Sequence, residues 1–82
     1  MEPSQCRAAR GLLEWTQDDL ANAAQVSVVS VRQFEKRSVV PHRATLASLR
    51  RALEAAGIVF IEQNGGGPGV RLRDRQPRSK KD

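Results

Sequence analysis

The sequence is poor in the residues that build most catalytic and metal sites. Its 82 residues include one cysteine, one histidine and no tyrosine. One thiol and one imidazole cannot supply the four ligands of a structural zinc site. The lone thiol, Cys6, falls at an apolar helix position, where cysteine usually serves as a small core residue. We therefore expect no metal site, no cofactor and no enzymatic activity.

Aromatic residues and long apolar runs are also scarce. Only Trp15, Phe34 and Phe60 are aromatic, and proteins that bind single-stranded nucleic acid need aromatic platforms for base stacking. The sequence shows no transmembrane segment, and its first residues lack the apolar stretch of a secretory signal. Together with the absence of paired cysteines, this predicts a cytoplasmic protein with no membrane partner.

Length and charge bound what remains. A chain of 82 residues makes one domain whose core is near the lower limit of self-sufficiency, so burial against a second copy is a natural supplement. The net charge is +5 and the pI is about 10.7, which favours a polyanionic partner. Residues 71–82 hold six basic residues and two acidic ones. This tail is either an arm that follows DNA phosphates or a solubilising disordered end, and composition leaves both open.

Residues 16–36 predict two short helices joined by a tight corner. Thr16 can cap the first helix, and Asp19 stands at the third helical position, where a carboxylate can reach back to the cap. The turn falls at residues 25–27, and its last residue, Ser27, is a good cap for a helix over residues 28–36. Two helices joined in this way form a helix-turn-helix.

The predicted third helix has one apolar side and one side free to contact a ligand. Val31 and Phe34 face inward at helical spacing. Arginine and glutamine on the other side could make paired hydrogen bonds to guanine and adenine, and valines there could meet a thymine methyl group. The alternative is an ordinary solvated helix face, which explains the charged residues but not the valines. The outward residues are Val28, Val29, Ser30, Arg32, Gln33 and Lys36.

The rest of the chain predicts two more helices and a hairpin. Helix one spans residues 4–14 with Ser4 as its cap, and helix four begins after Pro41 and stops at the cap residue Gly57. Two strands follow, over residues 58–61 and 70–73, joined by a glycine-rich loop that lacks the Lys-Ser/Thr of a phosphate-binding loop. The predicted fold is therefore mainly α, with a helical domain over residues 1–57, a β-hairpin over 58–73 and a basic tail over 74–82.

The first strand of this hairpin is apolar on both faces, since all four of its residues are β-branched or aromatic. A two-stranded hairpin is marginal by itself in water. We expect the strand to join a second copy of the chain, and packing wholly within one chain is the alternative. The predicted dimerisation residues are Ile58, Val59, Phe60 and Ile61.

Several of these features occur together in one known pattern. Over residues 3–57 the chain resembles the Cro/CI-type (XRE-family) helix-turn-helix of phage repressors and small bacterial regulators. The most specific matches are Gln17, Leu20-Ala21, Val26-Ser27, Val31, Phe34-Glu35, Pro41 and the helix-four series Thr45, Leu46, Leu49 and Leu53.

The resemblance implies one buried contact and exposes two departures. An arginine of helix one often pairs with the glutamate that ends helix three in such proteins, and Arg10 and Glu35 hold those positions. Gln25 and Arg37 stand where the family usually has glycine. Each is expected to adopt a left-handed conformation at a cost of about 1 kcal/mol.

The function implied by the resemblance is sequence-specific binding of double-stranded DNA by a homodimeric transcriptional regulator on an inverted repeat. Base reading falls to Val28, Val29, Arg32 and Gln33, and backbone contacts fall to Gln17, Ser27, Ser30, Lys36, Arg37 and Arg43. The alternative is an antitoxin or anti-activator that binds a protein partner, with or without DNA. A controller protein of a restriction-modification system is a third, weaker option.

Overall fold

The computed structural model describes residues 1–62 and 65–74. It is mainly helical, as predicted, with four helices followed by one antiparallel hairpin. The predicted basic tail, apart from Asp74, lies outside the described residues. The elements are α1 (Pro3–Leu13), α2 (Gln17–Ala24), α3 (Val28–Glu35), α4 (Arg43–Ala55), β1 (Ile58–Ile61) and β2 (Gly69–Leu72).

The helix starts follow local capping chemistry. Thr16 Oγ1 accepts the Asp19 N–H at 3.0 Å, and the Asp19 carboxylate accepts the Thr16 N–H at 2.9 Å, so the predicted capping box of α2 is confirmed. Ser27 caps α3 through a 3.0 Å bond from the Ser30 N–H. The predicted Ser4 cap is wrong, because α1 begins at Pro3 with Glu2 as its cap. Proline suits the first helical position, where its fixed φ is already helical.

Left-handed residues end two helices and follow a third. Gln25 has a φ of 59° and Arg37 a φ of 62°, which confirms both expectations. Glu14 also lies in this region, with a φ of 57°, so α1 ends one residue earlier than predicted. Such conformations cost about 1 kcal/mol each for residues other than glycine. The packing of the flanking helices therefore has to hold these corners in place.

The core draws on every helix and on the first strand. Helix α2 packs on α3 and buries the small residue Ala21. Helix α1 also packs on α3, and it buries the short side chains of Cys6 and Ala9. Buried apolar residues are Cys6, Ala9, Leu20, Ala21, Val31, Phe34, Leu49, Leu53 and Ile58.

The hairpin covers one face of this core. Its register pairs Ile58 with Leu72 and Phe60 with Val70, so these four side chains share the face that packs on the helices. The other face is more open: Ile61, which lies on it, is 38% exposed, whereas Ile58 on the packed face is 2% exposed. Gln5 fixes the hairpin to α1 by donating from Nε2 to the Ile61 and Gly69 carbonyls, at 3.3 and 3.0 Å.

Within the described part of the chain, no helix has the length and apolar character needed to cross a membrane.

Candidate functional site

The candidate site is built around α3, which α2 holds at a fixed angle. The three residues between the helices form a closed corner, in which the Val26 N–H bonds to the Ala21 carbonyl at 3.0 Å. Val26 itself is half-buried against the core. Val31 and Phe34 turn inward from α3. The opposite side of the helix is therefore presented to solvent on a rigid support.

The structure places four of the predicted contact residues on this open side. Val29 is 48% exposed, although it is apolar. Arg32 and Gln33 are exposed one turn further along the helix, and Lys36 is exposed one turn beyond them. Val28 is an exception, because it is half-buried and packs on the core. Its predicted role in base reading is therefore restricted to whatever part of the side chain remains open.

The two serines at the start of α3 already have local partners. Ser27 Oγ accepts the Ser30 N–H, and the two hydroxyls lie 3.1 Å apart in a hydrogen bond of their own. The predicted backbone contacts of both residues remain predictions. A hydroxyl can donate once and accept twice, so Ser27 keeps one further hydrogen-bonding position for such a contact and Ser30 keeps two.

A carboxylate in the interior joins three helices. Arg10 of α1 forks onto Glu35, with Nε to Oε2 and Nη2 to Oε1 both at 2.8 Å. Gln17 Nε2 donates to Oε1 at 3.0 Å, and Cys6 Sγ donates to Oε2 at 3.2 Å. The Glu35 side chain is 3% exposed. The pairing of Arg10 with Glu35 is thus confirmed, and two further donors complete the site.

The electrostatics of this cluster keep the carboxylate ionised. Burial raises the pKa of Glu35, but the hydrogen bonds from Arg10, Gln17 and Cys6 together lower it by more. The pKa of Glu35 is therefore below its usual range. The hydrogen bond to Glu35 raises the pKa of Arg10. Burial, followed by the bond to Glu35, raises the pKa of Cys6. Cys6 therefore acts here as a neutral donor rather than as a reactive thiolate.

Gln17 makes a contact within the chain that the sequence did not predict. Its amide nitrogen donates to Glu35, and the contact with the DNA backbone expected for this residue stays a prediction. A second arginine of α1 supports the same end of α3, because Arg7 Nη1 donates to the Glu35 backbone carbonyl. Sequence patterns did not indicate either contact, since both join residues that are distant along the chain.

Three exposed cations follow α3 along the chain. Lys36 is the cap residue that follows α3 and Arg37 comes after it, and both are exposed. Arg43 is the first residue of α4 and is exposed as well. His42 precedes it as the cap residue and makes no capping hydrogen bond with its side chain. These positions leave three charged side chains free to contact an anionic partner.

A second exposed feature was not predicted from the sequence. Val40 is 88% exposed and Val39 is 49% exposed, in the connection between α3 and α4. Two hollows of about 220 and 270 Å³ adjoin them, and Ser30 and Gln33 line the first. The available signal was the pair of aliphatic residues in the segment Ser38-Val-Val-Pro41, which matches neither a helical nor a strand period.

The two faces of the predicted dimerisation strand have different surroundings. Ile58 is buried within the chain, and Phe60 is half-buried under the Arg50 guanidinium, which lies 4.6 Å from the ring centre. Val59 and Ile61 occupy the more open face. Packing inside the chain thus accounts for one face of the strand, and only the other is open to a second copy.

Among residues 1–62 and 65–74, no group of three or more His, Cys, Asp or Glu side chains could hold a metal ion. No protein-family model matches the sequence, and no curated protein is similar enough to count as a relative.

Proposed function

We propose that the protein is a sequence-specific regulator of transcription that binds double-stranded DNA. In this proposal α2 and α3 form a helix-turn-helix of the Cro/CI type, and α3 enters the major groove. The observation that carries it is the composition of the open side of α3. The inner side of this helix is buried and held by other helices, and its outer side exposes an aliphatic residue, an arginine and a glutamine near one another.

Each exposed residue type has a matching group on DNA. Arg32 can pair with the O6 and N7 atoms of guanine, and Gln33 can pair with the N6 and N7 atoms of adenine. Val29 can meet a thymine methyl group. An exposed valine one turn before an arginine and a glutamine suits a surface that binds a partner better than it suits a purely solvated helix face.

The neighbouring cations supply backbone contacts in this proposal. Lys36, Arg37 and Arg43 approach the phosphates on either side of the groove and contribute affinity that does not depend on sequence. The protein then needs no cofactor, performs no catalysis and acts in the cytoplasm. Control of its activity would come from concentration, from another protein or from the arrangement of operators.

We further propose that the active form is a homodimer on an inverted repeat. Val59 and Ile61 form the open face of β1, and β1 carries no charged residue among its four. By contrast, β2 carries the exposed Arg71. An uncharged edge strand invites pairing with another strand. Two copies joined through β1 would hold their recognition helices about 34 Å apart, one turn of DNA.

Selection of bound sites from random DNA duplexes tests the proposal. The wild-type protein should enrich a short motif that occurs twice, in inverted orientation, with half-site centres about one helical turn apart. An enriched single motif would support DNA reading but contradict the dimer. Recovery of random sequences at low salt, with no enrichment, would contradict sequence-specific binding.

The exposed valines between α3 and α4 favour a second candidate, an antitoxin or anti-activator that binds a protein. Val40 is the most exposed of the large apolar residues in the described chain, and such residues are common where proteins meet. The product of a neighbouring gene can be tested for binding to the wild type and to Val40→Asp. Binding that is lost in the variant, while DNA affinity is unchanged, would support this candidate.

A further inference from the structure

Two donors to Glu35 come from outside α3 in addition to Arg10. Gln17 is the first residue of α2 and donates to Oε1, whereas Cys6 lies on α1 and donates to Oε2. We propose that Gln17 and Cys6 are positioning residues that set the sequence discrimination of α3 through the Glu35 carboxylate. This inference rests on the proposed DNA-binding function.

The carboxylate has no spare acceptor position in this arrangement. An ionised carboxylate offers about four lone-pair sites, and the two nitrogens of Arg10 together with Gln17 and Cys6 supply four donors. With 3% of the side chain exposed, solvent cannot readily replace a donor that is removed. The carboxylate would then shift toward the donors that remain.

A shift of this carboxylate moves α3 itself. Glu35 is the last residue of the helix, and Gln33 and Arg32 lie within one turn of it. Paired hydrogen bonds to a base tolerate displacements of only about 0.5 Å and rotations of about 10–20°. Contacts with phosphates made by long flexible cations are less demanding. Loss of a donor should therefore reduce discrimination more than it reduces affinity for DNA in general.

Direct contact of Gln17 with a phosphate is the competing explanation. The two differ in what Gln17 depends on, because a positioning role requires the Glu35 carboxylate and a phosphate contact does not. The sulfur of Cys6 is fully buried, so no DNA contact is open to it. An effect of Cys6 on discrimination can therefore arise only through its neighbours.

The first experiment measures dissociation constants for the selected operator and for a scrambled duplex of equal length and composition. The discrimination ratio is the dissociation constant for the scrambled duplex divided by that for the operator. Gln17→Ala should lower this ratio about tenfold, and Cys6→Ala should lower it a few-fold. Cys6→Ser keeps a donor at the same place and should restore the wild-type ratio. Asn22→Ala, on the exposed side of α2, is the matched control. If the two residues had a purely structural role, the variants would bind both duplexes more weakly by the same factor. An unchanged ratio would therefore overturn the inference.

The second experiment repeats Gln17→Ala in a background that has no carboxylate. Arg10→Met with Glu35→Leu replaces the ion pair by apolar side chains, a change that proteins often accept. In that background Gln17→Ala should change the ratio less than twofold. A persistent tenfold loss would assign Gln17 to direct DNA contact and overturn its positioning role. If circular dichroism shows that the background does not fold, the Cys6→Ala and Cys6→Ser pair decides.

The wild-type measurement separates this inference from the proposed function. A wild type that binds both duplexes equally removes the proposed function, and the inference falls with it. A wild type that discriminates, with variants that discriminate equally well, contradicts the inference alone.

Discussion

Helix α3 and strand β1 each pack one side on the core and leave the other side more open, but the molecule holds them in different ways. Beside its apolar packing, α3 is fixed at one end by polar groups, because Glu35 receives donors from α1 and α2 at 2.8–3.2 Å. Strand β1 is held mainly by the apolar packing of one face, with one hydrogen bond from Gln5 to the Ile61 carbonyl, while its other face stays more open. Directional bonds specify an orientation, whereas apolar packing specifies mainly burial. The first suits the base reading proposed for α3, and the second suits the pairing with a second copy proposed for β1.

The largest expected effect comes from breaking the polar support of α3. Glu35→Ala leaves Arg10 partly buried without its partner and should cost about 3–5 kcal/mol of unfolding free energy. Chemical denaturation followed by circular dichroism measures this. The control is Arg10→Met with Glu35→Leu, which removes both charges and should cost much less. A small effect of Glu35→Ala would show that the cluster does not support the fold.

The open face of β1 should give the next largest effect, on assembly rather than on stability. Ile61→Asp would place an unpaired charge in the proposed strand interface and should convert the dimer into a monomer. Affinity for an operator with two half-sites should then fall by about 10²–10⁴, the usual gain from bivalent binding. Affinity for a single half-site should change little.

Sedimentation distinguishes the possible outcomes for this strand. Arg51→Asp, at an exposed position of α4 outside the hairpin, is the control for a charge change at the surface. A folded Ile61→Asp variant that remains dimeric would contradict this interface. A wild type that stays monomeric on its operator would contradict the dimer.

Acid should weaken the polar support of α3 in particular. The pKa of Glu35 is held below its usual range, so its contribution is present above the pKa of the unfolded chain and is lost as the pH falls through the lower, folded pKa. Unfolding free energy of the wild type should therefore decline on acidification below about pH 5. The Arg10→Met, Glu35→Leu variant should show a shallower decline. Equal slopes would mean that other carboxylates account for the acid sensitivity.

Local chemistry made the helix starts of the central region predictable. Thr16, Asp19 and Ser27 bond within three residues of themselves, so their sequence spacing contains the needed information. The prediction for the start of the first helix was wrong, because Pro3 is itself the first helical residue and precedes the predicted cap, Ser4. The inward face of the third helix was also predictable, since Val31 and Phe34 follow the helical period.

Contacts between distant residues account for what the sequence did not predict. Arg10 and Glu35 were paired only by family resemblance, and nothing in the local pattern indicated that Cys6 and Gln17 would join them. The sequence did not predict the exposure of Val40 either, because the burial of a loop residue depends on how the flanking helices pack. Each of these depends on how whole helices pack, which periodicity does not determine.

The smallest effect concerns a local cap. Thr16→Ala removes the hydroxyl that accepts the Asp19 N–H and should cost about 1 kcal/mol of unfolding free energy. Thermal denaturation measures it, and Ser4→Ala is the matched control, because Ser4 is not the cap of α1. Equal losses in the two variants would contradict the assigned helix starts. Discrimination between DNA sequences should be unchanged in Thr16→Ala, since the Glu35 cluster is intact.

The central claim is that the open side of α3 reads bases, and repeating the site selection with Arg32→Ala and Gln33→Ala tests it most directly. Each variant should lose preference at one base position of each half-site, with a loss of about 1–3 kcal/mol on the wild-type operator. Preferences at the other positions should remain. A variant that binds every sequence more weakly by the same factor, with an unchanged motif, would contradict base reading by these residues.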